Sequence, residues 1–171
     1  GLYAEQISGT AFTVSRAEAL KTWFYRIRPS ARQSAYTKAS APLLKSAPCA
    51  DAPATPTQLR WDPLDVPGAA TDFVKGLVTV ATNGDVSQRI GCAVHLYVAN
   101  APMKDFLCNA DGDFLVVPVG GSLLIRTECG SLEVSPREVC LLPRGIRFQV
   151  LISDSTARSS GYICENYGAP F

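Results

Sequence analysis

Apolar positions in the second half of the chain fall into short runs with close punctuation. The run Phe114 to Val119 stops at Gly120-Gly121, and Leu123 and Ile125 then alternate with Leu124 and Arg126 up to Cys129-Gly130. Leu132 and Val134 alternate with Glu133 and Ser135 up to Pro136, and Val139 to Leu142 runs up to Pro143-Arg144-Gly145. Alternation places every second side chain on one sheet face, and Gly and Pro supply turns that other residues take poorly. Upstream, Cys92, Val94, Leu96 and Val98 share one face of a strand, with Ala93, His95, Tyr97 and Ala99 on the other. Leu77 to Ala81 reads as a strand closed by the turn Asn83-Gly84-Asp85, and Tyr162 to Asn166 as the last strand. Trp23, Tyr25 and Ile27 alternate with Phe24, Arg26 and Arg28, a further strand rich in β-formers. Helical signals are few: Ser15 to Leu20 carries a capping-box pattern, and Thr71 is placed to cap a short helix through Lys75 ahead of Gly76. Many short strands at this spacing predict an all-β sandwich or barrel.

One stretch breaks the pattern. From Pro29 to Thr57, 20 of 29 residues are Ala, Pro, Ser or Thr, too little apolar bulk for a core of its own. It reads as a long surface loop with a short arm at Tyr36 and Leu43-Leu44, either mobile or packed on a neighbour. Residues 58–171 then make most of the sandwich, and 1–171 reads as a single domain. The start at Gly1, without Met, leads to the expectation of a piece of a longer polypeptide.

A formal net charge of +1, with charged residues scattered, gives no electrostatic drive toward nucleic acid or a membrane surface. No apolar run reaches the length of a transmembrane helix. The six cysteines form no C-x-x-C pair, and their wide spacing in strand patterns fits reduced thiols in a cytosol.

Spacing narrows the fold. Asp113 and Gly120 stand in the register of the acid and glycine of a first cupin motif, and Pro143-Arg144-Gly145-Ile146-Arg147-Phe148 follows the Pro-x-Gly-x-x-His ending of the second. The stretch resembles a cupin jelly roll that keeps its backbone punctuation while its ligand positions hold Phe106, Cys108, Asp113 and Phe148. Phenylalanine has no lone pair for a metal, so this segment is expected to bind none.

Other candidate chemistry is sparse. His95 is the only histidine, which leaves no two-histidine metal site within the chain. With Tyr97 beside it on the strand face, it is either a pocket residue or a hydrogen-bonded core residue with no acid nearby in sequence to orient it. Asp111 and Asp113 offer a carboxylate pair or, more simply, a D-G-D turn bonding local amides. Cys108 has no adjacent base to activate it. Trp23, Phe24, Tyr25 and Trp61 read as core or interface packing, or else as an aromatic cage. Arg26, Arg28, Arg144 and Arg147 read as exposed strand-edge cations, or else as a carboxylate clamp.

Longer matches identify a family. L-Y-A-E-Q-I-S-G-T-A-F-T from Leu2, W-F-Y-R-I-R-P-S from Trp23, Q-L-R-W-D-P from Gln58 and D-F-V-K-G-L from Asp72 resemble the N-terminal region of homogentisate 1,2-dioxygenases. So do N-A-D-G-D-F-L-V-V-P from Asn109, P-R-G-I-R-F from Pro143 and G-Y-I-C-E-N-Y-G from Gly161, in order along nearly the whole chain. The resemblance implies the N-terminal cupin-like domain of a bicupin-like cytoplasmic enzyme. That enzyme opens the homogentisate ring with O2 and Fe(II), giving maleylacetoacetate in tyrosine and phenylalanine catabolism. It further implies that two histidines and a glutamate of the C-terminal cupin domain hold the iron, that no catalytic residue lies in this segment, and that the whole enzyme assembles as trimers and hexamers. This domain is then expected to be inactive alone and to support packing and oligomerisation. The competing expectation is a stand-alone, non-catalytic cupin module whose pocket at Phe106, Cys108, Asp113 and Phe148 takes a small ligand or a partner subunit.

Overall fold

The computed structural model describes residues 1–9, 15, 17–19, 21–49, 55–152 and 157–171. The chain falls into two compact units, 1–38 and 39–171.

In the first unit, β1 (Tyr3–Gly9) pairs antiparallel with β2 (Lys21–Arg26). The Glu5 carboxylate fastens this ribbon to the turn beyond it. It accepts from the Ser30 hydroxyl, the Ser30 amide at 2.7 Å and the Arg26 guanidinium at 2.8 Å. Those donors, Ser30 first, hold its carboxyl below the usual carboxylate range. Tyr25 and Ile27 are 69% and 85% exposed, so the alternating apolar face of this strand is not part of a core. Ser15 and Glu18 form a turn, with the Ser15 hydroxyl on the Glu18 carboxylate at 3.0 Å. Arg16 and Leu20 of the expected helical turn lie outside the described residues.

The second unit is a two-sheet sandwich. Its strands are β3 (Leu77–Asp85), β4 (Ile90–Ala99), β5 (Leu107–Cys108), β6 (Asp113–Gly120), β7 (Leu123–Thr127), β8 (Gly130–Val134), β9 (Cys140–Leu142), β10 (Arg147–Ile152) and β11 (Ser159–Asn166). The antiparallel pairs β4·β11, β5·β10, β6·β9 and β7·β8 nest inside one another, as in one long hairpin. Rolling that hairpin brings β11 beside β6 and β10 beside β7, which yields the orders β3-β4-β11-β6-β9 and β5-β10-β7-β8. This is jelly-roll topology.

Alternation explains the core. Leu77, Tyr97, Phe114, Val116 and Ile163 from the five-stranded sheet meet Leu123, Ile125, Phe148 and Val150 from the other in one buried cluster. Each such side chain contributes about 1.5–3 kcal/mol by leaving water. The expected turn at Asn83-Gly84-Asp85 is instead strand. Gly84 (φ 88°) faces Gly91 (φ 96°), and a Cβ on Gly84 would lie 2.2 Å from the Ile90 carbonyl oxygen. The two glycines let the strands approach there, and the chain reverses later, over Val86–Gln88 and Arg89. Residues 71–76 form a turn rather than a helix. Asp72, not Thr71, accepts the Lys75 amide, at 3.0 Å.

Part of the Ala/Pro-rich loop is docked. The Leu43 carbonyl accepts the Thr79 amide at 3.0 Å, Leu44 packs on the core, and Ala47 is buried beside Ala93 and Tyr167. Tyr36 and Leu43 of the expected arm are exposed.

Candidate functional site

The sandwich interior contains one buried polar node. On the inward face of β4, His95 is fully buried, and its Nε2 lies 3.1 Å from Glu165 Oε2 on β11. His95 pairs with Ile163 in the register, so Glu165 is its diagonal cross-strand neighbour. The other carboxylate oxygen accepts Asn109 Nδ2 at 2.5 Å, and His95 Nδ1 lies 2.9 Å from Thr79 Oγ1. Thr79 Oγ1 also accepts the Lys45 amide at 2.8 Å, which ties the docked loop to the node. Phe114 and Phe148 supply the apolar wall, with the His95 ring 6.0 Å from that of Phe114. Burial, followed by the charge of Glu165, pushes the neighbouring Tyr167 hydroxyl well above its usual value. Among the described residues every buried side-chain nitrogen and oxygen has a partner. Both ring nitrogens of His95 are hydrogen-bonded and the ring is fully buried, so the node ties β3, β4 and β11 together.

A second pair closes the end of the sheet. Asp113 Oδ1 accepts the Arg144 amide at 2.9 Å and Arg144 Nε at 3.3 Å. The guanidinium also donates to the carbonyls of Tyr167 at 3.2 Å and Gly168 at 2.6 Å. Arg144 is thus spent on the chain leaving β11. Arg26 and Arg147 pair with Glu5 and Glu128, and Arg28 holds the Arg32 carbonyl. Each of the four arginines is therefore engaged within its own unit rather than being a loose strand-edge cation.

The cupin ligand positions do not converge into a site. Phe106 is 55% exposed, whereas Phe148 is 1% exposed and packs edge-on against Phe114. Asp113 is held by Arg144, and Cys108 is half-buried in the short β5. The donor set does not fit iron: two positions have no lone pair, and the carboxylate already carries a cation. Among the described residues no three His, Cys, Asp or Glu side chains stand together as metal ligands. Among the four, Phe148 is taken up by the core, packed against Phe114.

His95 and Tyr97, the sequence candidates for a pocket, are core residues. Tyr97 is 1% exposed, packs on Phe73, and bonds Ser159 at 3.3 Å; burial pushes its hydroxyl up to about 12. A cavity of ≈ 610 Å³ lies elsewhere, between Val66 and Arg158 over Gly120, Gly121 and Ser160. Asn100 lines it with its amide already committed to Thr71, Pro67 and Ala69. In the D-G-D segment it is Asn109 that makes the local turn, accepting the Asp111 amide at 2.9 Å, while Asp111 takes the Ser46 hydroxyl at 3.0 Å. The aromatic residues Tyr25 and Trp61 are exposed rather than in the core.

The sequence reading missed Glu165 as the partner of His95. Seventy residues separate the two, and only the β4·β11 register joins them. A buried-side parity shared by His95, Ile163 and Glu165 was the available signal.

The model of the homogentisate 1,2-dioxygenase N-terminal family matches residues 1–171. The chain belongs to that family. Solved structures similar in part include a putative mannose-6-phosphate isomerase from Ralstonia eutropha (TM-score 0.44, 19% identity, 61% of this chain and 93% of that one). A cupin-2 domain protein from Shewanella frigidimarina (TM-score 0.39, 16% identity, 44% and 70%) and a cupin protein from Bacteroides fragilis (TM-score 0.39, 13% identity, 47% and 68%) are similar too. The assignment of the fold stands on the nested strand pairs of the homogentisate-dioxygenase-family domain itself. Among the described residues no helix is long and apolar enough to cross a membrane.

Proposed function

We propose that this chain is the non-catalytic N-terminal half of a cytoplasmic homogentisate 1,2-dioxygenase. The complete enzyme would open the ring of homogentisate with O2 and Fe(II) to give maleylacetoacetate, in tyrosine and phenylalanine catabolism. Its iron would lie outside this segment, in a C-terminal cupin domain, and the trimer or hexamer of the whole enzyme would draw on this domain for packing. The observation that carries the reading is the chemistry of the cupin ligand positions. Phe148 is core, Phe106 faces outward and Asp113 is bound to Arg144, within a chain that matches the family along its length.

The test is oxygen uptake. The 171-residue chain, supplied with homogentisate and Fe(II), is expected to consume no O2 above the metal-only control. Homogentisate-dependent uptake that disappears on unfolding would overturn the proposal.

A further inference from the structure

An antiparallel sandwich ordinarily shows water the polar half of each alternating strand. The five-stranded sheet here does not. Its outward side chains form two rows across the strands. In the first, Val78, Leu96, Tyr162 and Val117 are paired in succession from β3 to β6. In the second, Ala81, Val94, Cys164, Leu115 and Leu141 run from β3 to β9. No position in either row carries a charge. All are half-buried or exposed, Leu141 by 39%. Apart from the polar node around His95 and Glu165, the strands are therefore apolar on their inner face and uncharged along these outer rows, the pattern of a sheet covered on both sides. Polar positions bound the rows, with Ser160 at one end and Asn83, Asn166 and Asp113 at the other.

Two further observations say what covers this face. First, its two rows carry no charge and the Tyr162 hydroxyl is their one strong hydrogen-bonding group, a composition closer to a permanent interface than to a transient, polar one. Second, the chain leaves the sheet at the rim of the same face. There Arg144, braced by Asp113, grips the carbonyls of Tyr167 and Gly168 and fixes the exit. A domain tethered at that rim meets the rows at high effective concentration. We infer that the outer face of the β3-β4-β11-β6-β9 sheet is the docking surface for an uncharged, apolar sheet face of the domain that follows in the longer polypeptide. The inference rests on the proposed role of this chain as one half of a longer enzyme.

The chain carries its own probes. Cys164 lies in the second row and Cys129 is exposed in the β7–β8 turn, away from the face. Maleimide labelling, read by peptide mass, is carried out on the 171-residue chain alone and on the intact protein purified from its source. Cys164 is expected to label at least tenfold more slowly in the longer protein, with Cys129 unchanged between the two. Equal Cys164 rates in a source protein well above 18.3 kDa overturn the docking face and leave the proposed function standing. A source protein of 18.3 kDa overturns both. If the isolated chain dimerises with Cys164 protected, and Leu115→Glu makes it monomeric, the occupant is a second copy and the inference fails.

Discussion

Replacing Glu165 with leucine tests whether the buried node is a structural unit. The substitution removes the acceptor shared by His95 Nε2 at 3.1 Å and Asn109 Nδ2 at 2.5 Å. Asn109 is only half-buried and can turn to water, but His95 is 0% exposed and cannot. Leaving a buried donor or acceptor without its partner costs about 1–3 kcal/mol. Against a typical total stability of about 5–15 kcal/mol that is a large fraction. For a chain of this length it corresponds to a fall in Tm of about 2–12 °C, at about 2–4 °C per kcal/mol. The matched double variant, His95→Phe with Glu165→Leu, removes both halves and keeps the volume, so it is expected to recover most of the loss. Urea unfolding followed by far-UV circular dichroism supplies each stability, with an unchanged slope showing that the same transition is measured. The expected coupling between the two sites exceeds about 2 kcal/mol, within the range for residues in direct contact. A Glu165→Leu cost below about 1 kcal/mol, or a double variant as damaged as the sum of the singles, would refute the reasoning.

Three further outcomes follow from the same packing. Burial raises the Tyr97 hydroxyl to about 12, so below pH 10 the folded and unfolded states hold the same proton. As pH rises from 10 to 12 only the folded state keeps it, and stability falls by up to about 2.7 kcal/mol. Urea midpoints of Tyr97→Phe should lack that part of the alkaline slope, and identical slopes would exclude it. Gly84→Ala forces a side chain into φ 88° and to within 2.2 Å of the Ile90 carbonyl. A loss of at least about 1 kcal/mol is expected from the backbone conformation alone, checked by thermal melting. Arg144→Met leaves the Asp113 carboxyl, at 3% exposure, without its guanidinium partner and releases the carbonyls after β11. Limited proteolysis should then cut the chain near Gly168 sooner than in the parent, and equal cutting rates would count against the clamp.

Much of the sandwich was legible because alternation and punctuation are local. Leu123 and Ile125 are buried as their alternation with Leu124 and Arg126 requires, and Gly120-Gly121 ends β6 where the pattern breaks. Asn83-Gly84 misled for a physical reason. An Asn-Gly pair is the strongest hairpin signal, yet two glycines facing each other across strands serve close approach equally well. The partnership of His95 with Glu165, and the grip of Arg144 on residues beyond β11, depend on register between distant strands, which no local pattern contains. The outer apolar rows show the same limit. Each strand looks alternating or uniformly apolar on its own, and only the cross-strand order lines Leu96 up with Tyr162 and Val117.

The jelly roll also shows that backbone punctuation and interior side chains answer to different constraints. Turn residues such as Gly121, whose Cβ would lie 2.2 Å from the Arg158 carbonyl, answer to backbone geometry. Interior ligand positions answer to whatever fills the sandwich. Once Phe148 occupies one of them, burial worth about 1.5–3 kcal/mol holds it there, and a polar replacement would cost both that burial and an unmet hydrogen bond. Asp113 illustrates the other route. Its carboxylate binds Arg144, whose guanidinium in turn fixes the exit of the chain. The uncharged rows beside that exit are the complementary case: their side chains are apolar without being fully buried, so packing inside this sandwich alone does not account for them.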